Sequence, residues 1–453
     1  MPIRDITLTA LVGVLLLMVF KNPVIGAYLW AWLSLMNPHK LTYGFAFNLP
    51  FAQATAVVTL LALAVTSKRQ RLPLSGIVMV QMAMLLWMSI TSLFAMGPQE
   101  GVLDRWIFVA KIHLMLWVTW MLVTQPKQLR TLIWVVTLSV CYFGIKGGVW
   151  TVLTGGGGRV WGPPGGMLQD NNQLAVGLVV LMPMLYFLRQ TEPNKWLRHF
   201  LLFAMVAVTF SILGSQSRGA LLALLAMAFF LGLKGKYPVR TSLLLAVSMV
   251  LAIAFMPETW SGRMESIRSY QDDGSAMSRI WTWTTLWNAA VDHPFVGVGF
   301  GADNPAVFLR YAPPKLDFGV FEGKVFVAHS IYFQMLGEHG FVGLGLFLAL
   351  GLATWVTARG IAKRTRDDPE FGPWMPALMR MVQVSLIGFA VGGAFLSLAY
   401  LDLPYYIMGF VVSAGALERK RAAERAQAAG GKAAAALQSV DQARASRPGL
   451  APP

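Results

Sequence analysis

Charge is scarce in this sequence. Asp, Glu, Lys and Arg make up 13% of its 453 residues, where a soluble domain carries about a quarter. Apolar residues account for 56%. That balance excludes an ordinary soluble domain and predicts an all-α polytopic membrane protein. Cysteine is nearly absent: Cys141 is alone, which rules out a disulfide framework and a cysteine-built metal site. Acids number 21 against 37 basic residues, and the six histidines are scattered without a pair at ligand spacing. No metal and no other cofactor is therefore expected. "QDDGS" does set Asp272 beside Asp273, but such a stretch reads first as an exposed turn. The net charge of +16 fits Lys and Arg gathered in inner loops rather than nucleic-acid binding. A cleavable leader is not expected, because Arg4 and Asp5 precede an apolar run that continues without an Ala-x-Ala stop.

What is abundant is long apolar runs. A crossing needs about 20 such residues. Candidates are 7–20, 22–36, 51–66, 74–95, 106–123, 129–153, 172–188, 199–214, 219–233, 239–256, 331–357, 377–397 and 401–417. Connections rich in Lys and Arg alternate with connections that are poor in them, which assigns the first set to the inside and the second to the outside. Lys21-Asn22-Pro23 interrupts the first two short runs. Taking them as one broken crossing gives about twelve transmembrane helices with both termini inside. Residues 1–417 then form a transmembrane domain that includes a large outer loop at 257–328. Residues 418–453 read as a disordered or marginally helical basic tail on the inner side, suited to contact with anionic lipid.

Polar residues from distant stretches collect at the outer level. His329 opens the run "VAHSIYFQMLGEHGFVGLG", Arg218 sits in the turn "LGSQSRGALL", and Arg279 lies in "SAMSRIWTWTTLW". Arg159 and Asp170 lie in "TGGGGRVWGPPGGMLQDNN", and Lys146 is about two turns below the outer end of its span. Arginine suits phosphate through its two parallel donors, and a near-neutral imidazole accepts a proton from a hydroxyl. Each residue has a plainer reading: Arg218 as a cation snorkelling to lipid, Arg279 as a solvated loop residue, His329 as a structural helix start. Ile280, Trp283, Trp287 and Ala290 recur at helical spacing, as expected of an amphipathic helix lying on the bilayer interface with Arg279 in its first turn. The glycines of "HPFVGVGFGADN" suggest close backbone approach rather than a nucleotide loop. Glu338, nine residues after His329, points to the opposite helix face and needs its own partner, as do Lys111 and His113.

Three stretches resemble a known family. His329-Ser330, nine residues, then Gly340-x-x-Gly343 is similar to a motif of bacterial O-antigen ligases. "SQSRGAL" at 215–221 and the pattern of Arg, Trp, Ala, Pro and Gly-x-Gly in 278–301 resemble the wider O-antigen ligase and polymerase superfamily. The resemblance implies a GT-C-type glycosyltransferase of the bacterial inner membrane, with its active site facing the periplasm. It would move polysaccharide from undecaprenyl diphosphate to the lipid A–core, using neither nucleotide sugar nor metal. By motif position it makes His329, Arg218 and Arg279 the catalytic residues. Chemistry and location add Arg159, Lys146 and Asp170 as substrate-binding candidates. Expected partners are the lipid-linked O-antigen, the lipid A–core acceptor and membrane lipids, with no nucleic acid. The acceptor stays open, so an O-antigen polymerase and a protein O-oligosaccharyltransferase remain alternatives, and an anionic-lipid transporter is the rival from another class.

Overall fold

The computed structural model describes residues 3–67, 69–234, 274–313 and 323–445, with side chains as far as 428, and isolated positions between 239 and 254. Helix is the only regular structure among the described residues. Most of the run expected at 239–256, and part of the outer loop at 257–328, lie outside them.

The first helices correct the sequence reading. α1 (Ile3–Lys21) and α2 (Val24–Met36) meet at Asn22-Pro23. Asp5, in the first turn of α1, accepts backbone N–H bonds from Gly44 (3.1 Å) and Ala46 (2.8 Å), which follow α2. The start of α1 therefore lies beside the chain that leaves α2, and the two helices run antiparallel. The interruption at Lys21-Asn22-Pro23 is a reversal, not a kink within one crossing. At 19 residues, α1 is about 28 Å long, close to the apolar thickness of a bilayer.

The chain continues through α3 (Phe51–Val65), α4 (Gly76–Ser92), α5 (Gln99–Leu122), α6 (Pro126–Leu153), α7 (Asn171–Thr191), α8 (Lys195–Gly214) and α9 (Arg218–Lys234). After α10 (Gly274–Asp292) and the short α11 (Pro305–Tyr311) come α12 (Ile331–Arg364), α13 (Trp374–Gly393) and α14 (Asp402–Ala445). Six of these, α1, α6, α7, α8, α12 and α13, are long and apolar enough to cross a membrane. α2, α3 and α4 are apolar but shorter. α7 is the hub: every residue from Leu174 to Leu188 is buried, with α6, α8, α9 and α13 packed around it. A helix apolar on all sides suits a bundle core or lipid, and here neighbouring helices cover it.

The two ends of the bundle differ. At one, basic side chains tie the connections together. Arg130 donates to the Thr191 carbonyl (2.7 Å) and pairs with Glu192, and Lys234 reaches Gln383 (2.6 Å). At the other end lie the longer connections 37–50, 154–170 and 394–401 with the described stretches 293–304 and 323–330: Gly165 approaches Lys40, and His329 bonds Ser397. The chain beyond 417 continues α14 through Ala445 rather than ending with the apolar run. Alanine favours helix, and Arg425 braces the extension against Asp368 (2.6 Å) while Arg421 reaches Glu370 (3.3 Å) and Glu424.

α12 is broken at Gly340, where φ is 67° and ψ −172°, a conformation essentially reserved for glycine. The break lets the loop after α10 dock on helix backbone. Val298 N–H donates to the Gly337 carbonyl (2.9 Å), Gly299 N–H to the Glu338 carbonyl (2.9 Å), and Phe341 N–H to the Pro294 carbonyl (2.8 Å). Gly297, Gly299 and Gly301 all take positive φ. Their role is the close backbone approach expected of them.

Candidate functional site

His329 lies just before α12, at the loop-rich end. Its backbone is left-handed, with φ 45°, a state that costs a non-glycine residue about 1–3 kcal/mol unless neighbours hold it. Neighbours do hold it. The His329 N–H donates to Ser397 Oγ (2.8 Å), and Trp283 of α10 donates to the Ala328 carbonyl (2.8 Å). Trp283 also stacks on Phe333, with ring centroids 5.1 Å apart, and Ser330 caps α12. One turn on, Gln334 accepts from the Ala399 N–H (3.2 Å). The backbone at His329 is thus held between α10 and the 394–401 connection.

Two of the expected site residues lie near enough to His329 for their charges to act on it. Burial lowers the pKa of His329, the Arg279 guanidinium lowers it further, and the Asp170 carboxylate opposes both. The net effect keeps the imidazole neutral near pH 7, the form able to take a proton. Arg279 arrives in the first turns of α10. That helix covers the span expected from its spacing, but it does not simply lie on a bilayer surface. It packs against α12, burying Trp281, Thr282, Thr285, Leu286 and Ala289, while Trp287 remains 48% exposed. Asp170 caps α7, accepting from the Asn172 N–H (2.9 Å).

Arg218 reaches the same neighbourhood through backbone ties. It is the first residue of α9, and the turn before it is pinned to α7 by the Asn171 amide, which donates to the Ser215 carbonyl (2.6 Å). Gly219 is so close to Phe395 that an added Cβ would sit 3.2 Å from the Phe395 Cβ. Phe395 is two residues from Ser397. Lys146, on α6, and Arg159, in the 154–170 connection, are both exposed and stand apart from these contacts.

Glu338 serves a different centre. Its carboxylate accepts from Tyr400 Oη and from the Gly301 N–H (3.1 Å), with Arg105 3.6 Å away. Arg105 also binds Asp303 (2.9 Å), and Tyr400 bonds His339, whose other nitrogen meets Thr91 (2.7 Å). This network locks α4, α5, α12 and two connections together without touching His329. The partner expected for Glu338 is therefore Arg105, joined by a tyrosine. Ser397 and Tyr400 were missed by sequence reasoning, as was the bond by which Trp283 holds the Ala328 carbonyl. Only the positive φ of His329, invisible in sequence, signals the need for Ser397 and Trp283. Among the described residues, no group of His, Cys, Asp and Glu side chains could hold a metal.

The fold and this site define a multi-pass helical membrane protein with a histidine and basic side chains gathered at one end. Residues 200–348 match the family model described as O-antigen ligase. That match supports membership in the O-antigen ligase family, and the matched stretch contains Arg218, Arg279 and His329. The family is one of glycosyl-transferring enzymes. Residues 3–193 match a family of unknown function (DUF5935), and this stretch carries Lys146, Arg159 and Asp170. No curated protein matches the chain.

Proposed function

We propose that this protein is an O-antigen ligase with a GT-C-type architecture. It transfers polysaccharide from undecaprenyl diphosphate to the lipid A–core at the outer face of the bacterial inner membrane. The observation that carries this reading is a neutral, backbone-clamped His329 within reach of the charges of Arg279 and Asp170. The excess of Lys and Arg at the opposite end supports placing that end in the cytoplasm and His329 outside it.

The transfer is one displacement. The acceptor hydroxyl gives its proton to the His329 imidazole as its oxygen bonds to the anomeric carbon of the donor sugar. The bond from that carbon to the diphosphate breaks, and the leaving diphosphate takes the electron pair. Arg218 and Arg279 neutralise the charge that develops there, which removes the need for a metal or a general acid. Base catalysis by a placed imidazole contributes about 10²–10⁴-fold. Asp170 orients and tunes the base, while Arg159 and Lys146 contact the substrate outside this centre. The transition state has oxocarbenium character, as in glycoside cleavage, and the configuration inverts.

The anomeric configuration of the new linkage, compared with that in the donor, tests the scheme. Inversion supports it, and retention removes single displacement. Lipopolysaccharide from cells lacking the protein separates this reading from its relatives. Loss of the whole ladder with lipid-linked polymer accumulating means ligase, a single added repeat means polymerase, and an unchanged ladder excludes both.

A further inference from the structure

Lys111 lies twelve residues into α5, about 18 Å along the helix axis. It makes no hydrogen bond or ion pair among the described residues. An ammonium at that depth in an apolar helix calls for a partner. It opens onto a cavity of about 420 Å³ bounded by α2, α3, α5, the turn 163–168 and the start of α14, a size typical of small-molecule sites. The amides of Asn37 and Gln53 also line it and likewise have no side-chain hydrogen bond. Asp402, already bonded to Ser34, is part of the lining, and Trp30 and Phe108 supply aromatic surface.

The lining limits the ligand. A cation is disfavoured by Lys111, and an inorganic anion leaves the two rings and the amides unused. A lipid tail would strand the amides and the Lys111 charge away from water. A hydroxyl-rich ring that carries an anion uses all of these: the anion meets Lys111, hydroxyls meet the amides, and the apolar ring face meets the aromatics. The cavity's walls also lead to the site. The turn 163–168 runs on to Asp170, and Leu401–Asp402 follow the connection that holds Ser397. His329 feels the Asp170 charge and bonds Ser397, which lie a few residues along the chain from those walls.

We propose that this cavity is a second substrate subsite that binds a phosphorylated sugar of one of the two glycolipid substrates, beside the His329 centre. Assigning it to a substrate rests on the glycosyl-transfer reading; the binding itself does not.

The test is calorimetric titration of the full chain in nanodiscs with N-acetylglucosamine 1-phosphate, N-acetylglucosamine and inorganic phosphate. Saturable binding is expected for the sugar phosphate, well above the other two. Lys111→Met and Gln53→Leu, on different helices and each verified as folded by its melting transition, are expected to weaken it about tenfold, about 1.4 kcal/mol. Absence of saturable binding, equal binding of the neutral sugar, or unchanged binding in both variants overturns the proposal. Transfer kinetics then name the source: a KM increase confined to the acceptor assigns the sugar to the acceptor, and one confined to the donor assigns it to the donor. If the sugar phosphate binds but the wild type transfers nothing, the ligase reading fails and the subsite stands.

Discussion

At the scale of single residues, His329 combines a rare backbone state with a tuned side chain. The N–H to Ser397 and the Trp283 bond to the Ala328 carbonyl hold the backbone, and burial with Arg279 lowers the imidazole pKa. A base must be unprotonated to act, so a lowered pKa carries activity to lower pH. Transfer should be full at neutral pH and fall only below the ordinary imidazole value of about 6.5. Asp170 opposes the shift. Asp170→Asn keeps a good helix cap but removes the charge, so the acid limb of the rate–pH profile should move to still lower pH. An unmoved or raised limb would show that Asp170 does not act on the base. The type and position of His329, Arg218 and Arg279 were legible in the motifs. What clamps His329 was not, because a serine 68 residues away and a tryptophan on another helix leave no local pattern.

At the scale of elements, the long helices follow directly from apolar runs, and most expected spans fall within a few residues of observed helices. The misreadings occur where tertiary contacts decide. The periodicity of α10 announced a helix but not that it would pack on α12. Gly340 was legible as a motif position, and its cause is the broken helix on which the 293–301 loop docks. Gly340→Ala would put a side chain in a glycine-only conformation, against the Phe295 carbonyl. The expected cost is about 1–3 kcal/mol of strain, read as a lowered melting temperature of the detergent-solubilised protein, with transfer reduced because the loop no longer positions α10. An unchanged melting transition would show that the break is not enforced by this contact.

At the scale of the whole molecule, the reversal at Asn22-Pro23 puts the start of α1 at the same end as the loop 37–50 and as His329. Residue composition could not decide this, because Lys21 fits either a kink or an inner turn. The account places that end outside the cytoplasm and α14 beyond 417 inside it. In a Cys141→Ala background, Tyr43→Cys should react with a membrane-impermeant maleimide in intact spheroplasts, and Arg419→Cys should react only after lysis. The reverse pattern would turn the molecule over. The central claim is that one imidazole at this end activates the acceptor. Its most direct test is His329→Ala in vesicles supplied with polysaccharide on undecaprenyl diphosphate and with lipid A–core, measuring donor binding and transfer together. The account predicts donor binding close to wild type with transfer down about 10²–10⁴-fold; wild-type transfer by that variant would contradict it.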